Sequence, residues 1–158
     1  MKTVFITGAE GVGKTTLIKI LKKSLANKKI YDFDSVGVPK NPPLSWRHKT
    51  TKHWLAVAEK NEKVGKDTLI VGLSFPFEIL SFSKKRDFFF CLLDINIKER
   101  ERRLKKRESP KDVINDTEQV IKLKKEFKKL KNKKIINASN LSPIQISKKI
   151  INWLNSLR

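Results

Sequence analysis

At 158 residues the chain has room for one compact domain with a buried core, expected here over residues 1–158, and not for two independent domains and a linker. No run approaches the ~20 consecutive apolar residues of a membrane helix, MKTVFIT opens the chain without a signal-peptide pattern, and the one cysteine, Cys91, excludes an internal disulfide or a cysteine metal cluster; a soluble cytoplasmic protein without a membrane partner is expected. The formal charge of +20 is compatible with a phosphate-neutralising face, but 29 of the 36 basic residues are lysines spread over nearly every polar segment beside abundant Asn and Ile, which favours compositional background on solvated helix faces.

Residues 2–7, KTVFIT, form a β-branched and aromatic run that ends at Gly8, and after Lys14 the apolar positions Leu17, Ile18, Leu21 and Leu25 recur at helical spacing. This predicts strand, loop and helix. Residues 30–33 predict a short second strand closed by acidic residues, and residues 35–43, with three prolines and a glycine, predict a loop. A helix is expected over 46–61 with Trp46, Trp54, Leu55 and Ala58 among its buried positions, then a third strand over 68–73 that turns before Pro76. The continuous apolar run at 87–93, DFFFCLL, has the pattern of a central parallel strand covered on both faces. Residues 97–108 are almost entirely charged, and Ser109 and Pro110 interrupt them before a helix near 116–131 striped by Val120, Leu123, Phe127 and Leu130. A last strand is expected at 134–138, and Ser142, Pro143 and Gln145 have the form of a capping box opening a final helix with core positions Ile146, Ile150, Leu154 and Leu157. Five strands alternating with helices predict an α/β protein, a five-stranded parallel sheet with helices on both faces.

The residues Gly8, Ala9, Glu10, Gly11, Val12, Gly13, Lys14 and Thr15 match the pattern GxxxxGK[ST], between a predicted strand and a predicted helix. Glycines there let backbone N–H groups and the helix N-terminus face phosphate oxygens, so the segment through Thr16 is expected to bind ATP. Lys14 is placed to reach the β- and γ-phosphates and the Thr15 hydroxyl to ligate Mg²⁺. Asp32 and Asp34 end the second strand, where ligands gather beside the carboxyl ends of parallel strands. Alternate positions on a strand point to one side, so the two carboxylates are expected to converge. Such carboxylates hold a metal-bound water or accept a proton from an attacking hydroxyl. Arg100, Arg103 and Arg107 recur at spacings of three and four, one helical face suited to phosphate oxygens, and Arg47 lies between two tryptophans after the proline-rich loop. His48 and His53, five apart, have poor spacing for a metal pair on a helix.

Taken together, the phosphate loop, the Asp32-Phe-Asp34 motif, the glycine turn at Gly72 and the arginine-rich segment resemble the small P-loop kinases of the nucleoside-monophosphate and shikimate kinase superfamily, over nearly the whole chain. The resemblance implies the three-layer P-loop NTPase fold, Asp32 on the Mg²⁺ ion, Asp34 on the acceptor hydroxyl, an acceptor-binding region at 36–61 that includes Arg47, and a lid at 98–116 in which Arg103 or Arg107 acts. The third strand of nucleoside-monophosphate kinases usually ends in Asp and Gly, whereas LIVGLSFP carries Gly72, Leu73 and Ser74 with no carboxylate, which moves the likeness toward the shikimate and gluconate branch and gives Gly72 a place at the substrate. Residues 137–141 fall where that superfamily places its adenine-contacting loop. The expected function is ATP-dependent transfer to a small hydroxyl- or phosphate-bearing acceptor, a nucleoside, nucleotide or polyol acid. A kinase of nucleic-acid 5′ ends and a nucleotide-dependent regulatory module are the alternatives, and a small molecule stands ahead of nucleic acid as partner.

Overall fold

The β-branched and aromatic runs of the sequence become the strands of one parallel sheet. The structure, a computed structural model, describes residues 1–85, 87–106 and 117–157. In chain order the elements are β1 (Thr3–Gly8), α1 (Lys14–Ser24), β2 (Lys29–Asp32), a 3-10 turn (Phe33–Val36), α2 (Leu44–Lys63), β3 (Thr68–Val71), α3 (Pro76–Phe82), β4 (Phe89–Asp94), α4 (Ile97–Lys105), α5 (Thr117–Lys129), β5 (Lys133–Asn137) and α6 (Pro143–Ser156). The strands lie in the order β2-β3-β1-β4-β5, all parallel. All six residues of β1 are buried, as expected for a central strand with helices over both faces.

Side chains alternate across the sheet and feed two cores. On one face Val4, Ile6, Val71, Cys91 and Leu93 pack with Leu17 and Leu21 of α1 and Ile146, Ile150 and Leu154 of α6. On the other, Phe5, Ile70, Phe90 and Leu92 pack with Trp54 of α2, Ile79 of α3 and Leu123 and Phe127 of α5. Phe5 lies edge-on to Phe88 and stacked on Phe90, and truncating so enclosed a ring costs about 3–5 kcal/mol. The final helix opens on the expected capping box, with Ser142 Oγ accepting from Gln145 N at 3.2 Å and Gln145 Oε1 from Ser142 N at 2.8 Å.

Several expected boundaries move for identifiable reasons. The second strand begins at Lys29 and stops at Asp32, because the Asp32 carboxylate accepts the Asp34 N–H at 2.9 Å and turns the chain into the 3-10 segment. The third strand stops at Val71 and the fourth runs from Phe89 to Asp94. The helix expected over 46–61 extends at both ends, from just after Pro43 to Lys63. Trp46 is only half-buried and donates its indole N–H to Gly37 O at 3.0 Å, which ties the proline-rich loop to the start of α2 instead of filling the core. Among the described residues no helix is long and apolar enough to cross a membrane.

Candidate active site

Strand β1 and its neighbour β3 send their connections to opposite sides of the sheet, and the crevice beyond their carboxyl ends is where such sheets bind ligands. The 9–13 loop forms the crevice floor between the last residue of β1 and the first of α1. Gly13 caps α1 at φ +94°, a conformation that L side chains rarely adopt, so the helix N-terminus is presented without a Cβ in front of it. Lys14 folds back over the loop and donates to Gly8 O at 2.6 Å and Ala9 O at 2.7 Å. Thr15 and Thr16 are exposed in the first turn of α1.

The turn after β3 is locked to β1 by a buried pair: Thr7 Oγ1 donates to Ser74 O at 2.9 Å and accepts from Ser74 N at 3.0 Å. Gly72 precedes it for want of space, since a Cβ there would lie 2.3 Å from Phe33 Cβ. That close approach seats the 3-10 turn, and Trp54 Nε1 secures it from the other side by donating to Phe33 O at 2.9 Å. Gly72 thus positions the segment carrying Asp32 and Asp34.

The two aspartates come together, but not as alternate residues of a strand. Asp32 is the cap of the turn and Asp34 lies one residue inside it. Although Asp34 is exposed at the mouth of the crevice, partial loss of hydration and then the neighbouring Asp32 push its carboxyl above the ordinary carboxylate value, while Lys14 and Arg47 pull it down. Its three charged neighbours are therefore Asp32, Lys14 at the start of α1 and Arg47 of α2. Arg47 donates from Nη1 to Leu73 O at 3.2 Å and holds its guanidinium 5.1 Å from the Phe75 ring centre.

The basic helix α4 sits on the loop through a different arginine from those expected to act. Arg100 is buried and donates from Nε to Glu10 O at 3.0 Å, and Leu104 approaches Gly11 so closely that a Cβ there would meet its Cγ at 3.2 Å. Arg103 points to the loop after β5: its Nε meets Glu99 Oε1 at 2.7 Å and its Nη2 donates to Ala138 O at 3.1 Å and Ser139 O at 3.3 Å. Hydrogen bonds from Arg102 and then Arg103 hold the Glu99 carboxyl down to about 2. Arg107 and the 107–116 part of the lid segment lie outside the described residues. The face expected to carry three equivalent arginines is thus divided, Arg100 toward the phosphate loop and Arg103 toward residues 138–139.

No protein-family model and no curated protein matches the sequence. Solved structures match its shape. A sugar kinase from Janibacter sp. HTCC2649 superposes at a TM-score of 0.70 with 16% identity, over 99% of this chain and 96% of that one. Shikimate kinase from Aquifex aeolicus gives 0.66 with 19% identity over 97% and 96%, and APS kinase from Mycobacterium tuberculosis, in complex with AMPPNP and APS, gives 0.65 with 19% identity over 98% of each chain. The fold is that of the P-loop kinases.

Within the P-loop kinase fold, the described residues offer oxygen donors that suit Mg²⁺: the exposed Thr15 hydroxyl and the Asp32 carboxylate, which spends one oxygen on Asp34 N. Among the described residues no group of three or more His, Cys, Asp or Glu could hold a metal. A hard ion that keeps its waters and shares phosphate oxygens needs only one or two protein ligands, so the donor set fits. His48 faces Glu78 at 3.8 Å, whereas His53 lies against Trp54.

One residue on the Arg47 side escaped the sequence reading. Lys122 of α5 holds its ammonium 4.5 Å from the centre of the same Phe75 ring that Arg47 approaches. Nothing in the lysine-rich stretch around it sets Lys122 apart until α5 is folded against α3. A cleft of about 850 Å³ opens between α4 and α5, lined among others by Ala9, Arg100 and Asn140, and includes neither Asp34 nor Arg47.

Proposed function

We propose that the chain is an ATP-dependent phosphotransferase that phosphorylates a hydroxyl of a small polar or anionic acceptor. One observation carries the reading: Asp34 stands in the field of both Lys14, on the phosphate loop, and Arg47, on the helix that flanks the crevice. A carboxylate so placed has a donor on one side and an acceptor on the other. The P-loop kinase fold, shared with solved sugar, shikimate and APS kinases, supports transfer to a small acceptor over a switch or motor.

In this reading the loop N–H groups and the α1 N-terminus bind the donor phosphates, and Lys14 exchanges the Gly8 and Ala9 carbonyls for phosphate oxygens. Asp34 accepts the proton of the acceptor hydroxyl as its oxygen bonds to the γ-phosphorus. The bond from that phosphorus to the bridging oxygen breaks, and ADP leaves with the electron pair. The raised proton affinity of Asp34 is in the direction a general base requires. Arg47, with Lys122 across the Phe75 ring, supplies positive charge where the acceptor would enter. Thr15 and Asp32 would hold Mg²⁺, whose charge offsets that of the phosphates. Arg100 positions the loop through Glu10 O, and Arg103 braces the 138–139 carbonyls on the side assigned to the base. The test is incubation with γ-labelled ATP, Mg²⁺ and a panel of sugars, polyol acids, nucleosides and nucleotides. Label in a hydroxyl compound is expected; label released only as inorganic phosphate across the whole panel would count against a kinase.

A further inference from the structure

The charge of the chain is not evenly laid out once it is folded. Lysines occur nearly everywhere, but no Asp or Glu occurs from Gly11 to Tyr31 or from Phe127 to the end, and these two stretches hold fourteen of the 36 lysines and arginines. Folding brings them together: α1 packs against α6 over one face of the sheet, and α6 flanks the edge strand β5. Lys19, Lys22, Lys23, Lys148 and Lys149 are all exposed there, and among the described residues none of them is in an ion pair. The opposite face is mixed. Its helices carry Glu59, Glu62, Glu78, Glu118 and Glu126, and its lysines pair, as Lys63 does with Glu59 at 3.1 Å and Lys85 with Glu62 at 2.6 Å. A lysine-rich coding background adds lysines to every surface; it does not clear the carboxylates from one of them.

Beside this face runs a groove of about 630 Å³ between β5 and α6, lined among others by Lys134, Asn137, Lys149, Asn152 and the half-buried Trp153. Lysines beside a recess that offers an indole and side-chain amides match a flexible strand of phosphates and bases better than a flat surface. A membrane would ask for exposed apolar side chains on the same helices, yet their outward positions are largely lysine, asparagine, serine and glutamine, with Ile144 the exception. We propose that the α1–α6 face and the β5–α6 groove bind single-stranded nucleic acid, the lysines on its phosphates and the groove on its bases. This surface is separate from the Asp34 crevice and stands whether or not the kinase reading does.

The test is fluorescence anisotropy of the whole chain with a labelled mixed-sequence single strand of about 20 nucleotides, between about 50 and 200 mM salt. Two charge-reversed proteins are compared: Lys22→Glu with Lys149→Glu on the proposed face, and Lys60→Glu with Lys66→Glu on and just after α2. All four side chains are exposed, so both proteins are expected to fold. The first pair is expected to weaken binding about tenfold or more and to flatten the log–log salt slope by about 1.4, the second to change little, and a duplex of the same length to bind more weakly than the single strand. Equal losses from the two pairs would reduce the effect to net charge and overturn the proposal. So would duplex binding as tight as single-strand binding, or binding to anionic phosphatidylserine vesicles with none to the oligonucleotide.

Discussion

From Thr3 to Ser24 the proposed donor half of the crevice is one uninterrupted strand, loop and helix, whereas the proposed acceptor half collects Asp34, Arg47, Phe75 and Lys122 from four separate segments. The first half is specified by local backbone needs, glycines where the chain must turn and a lysine and threonine at the helix start. The second depends on packing, because its members meet only when Trp54 grips Phe33, Gly72 admits Phe33, and α5 lies against α3. Chemistry shared by all members of a fold can sit in a contiguous loop. In the proposed reading, selectivity for the acceptor is assembled from elements whose spacing along the chain carries no signature.

The contrast can be tested by damaging each half. Lys14→Ala is expected to have the largest effect, lowering transfer about a thousandfold and weakening nucleotide binding for every acceptor alike; an effect confined to acceptor KM would place Lys14 in the wrong half. Arg47→Ala should act on the other side, raising the acceptor KM about 10- to 100-fold with the KM for ATP nearly unchanged. It carries a second signature. Arg47 favours the ionised form of Asp34, so its removal raises the Asp34 pKa further, and because the ionised form is the base, the acid limb of kcat/KM should move to higher pH. A limb that stays in place would separate the two residues. Gly72→Ala is smaller in chemistry and larger in structure. The clash with Phe33 is expected to cost about 1–3 kcal/mol of stability in a denaturant melt, with activity falling because the 3-10 turn shifts. Unchanged stability would show that the turn yields easily.

These differences track what could be read from the sequence. The phosphate loop, the parallel α/β order and the Ser142 cap were legible because each is a local pattern with one geometric solution. Asp32 and Asp34 were found as candidates, yet the reason for their convergence was wrong: a side-chain cap, not strand alternation, brings them together. The arginines of α4 were recognised as a face, but periodicity cannot tell which of them turns inward; burial of Arg100 against Glu10 O is settled by the seat of α4 on the loop. Lys122 was invisible among lysines of identical local context. The carboxylate-free stretches are visible along the chain, but that they share one face appears only when α1 and α6 are seen side by side.

The claim that binds these observations is that Asp34 serves transfer and not nucleotide capture. Asp34→Asn, measured for ATP binding by calorimetry and for γ-phosphoryl transfer in the same preparation, separates the two. The expected result is ATP affinity within about twofold of the parent with transfer reduced about a hundredfold or more. Transfer at the parental rate, or ATP affinity lost in step with it, would contradict the account.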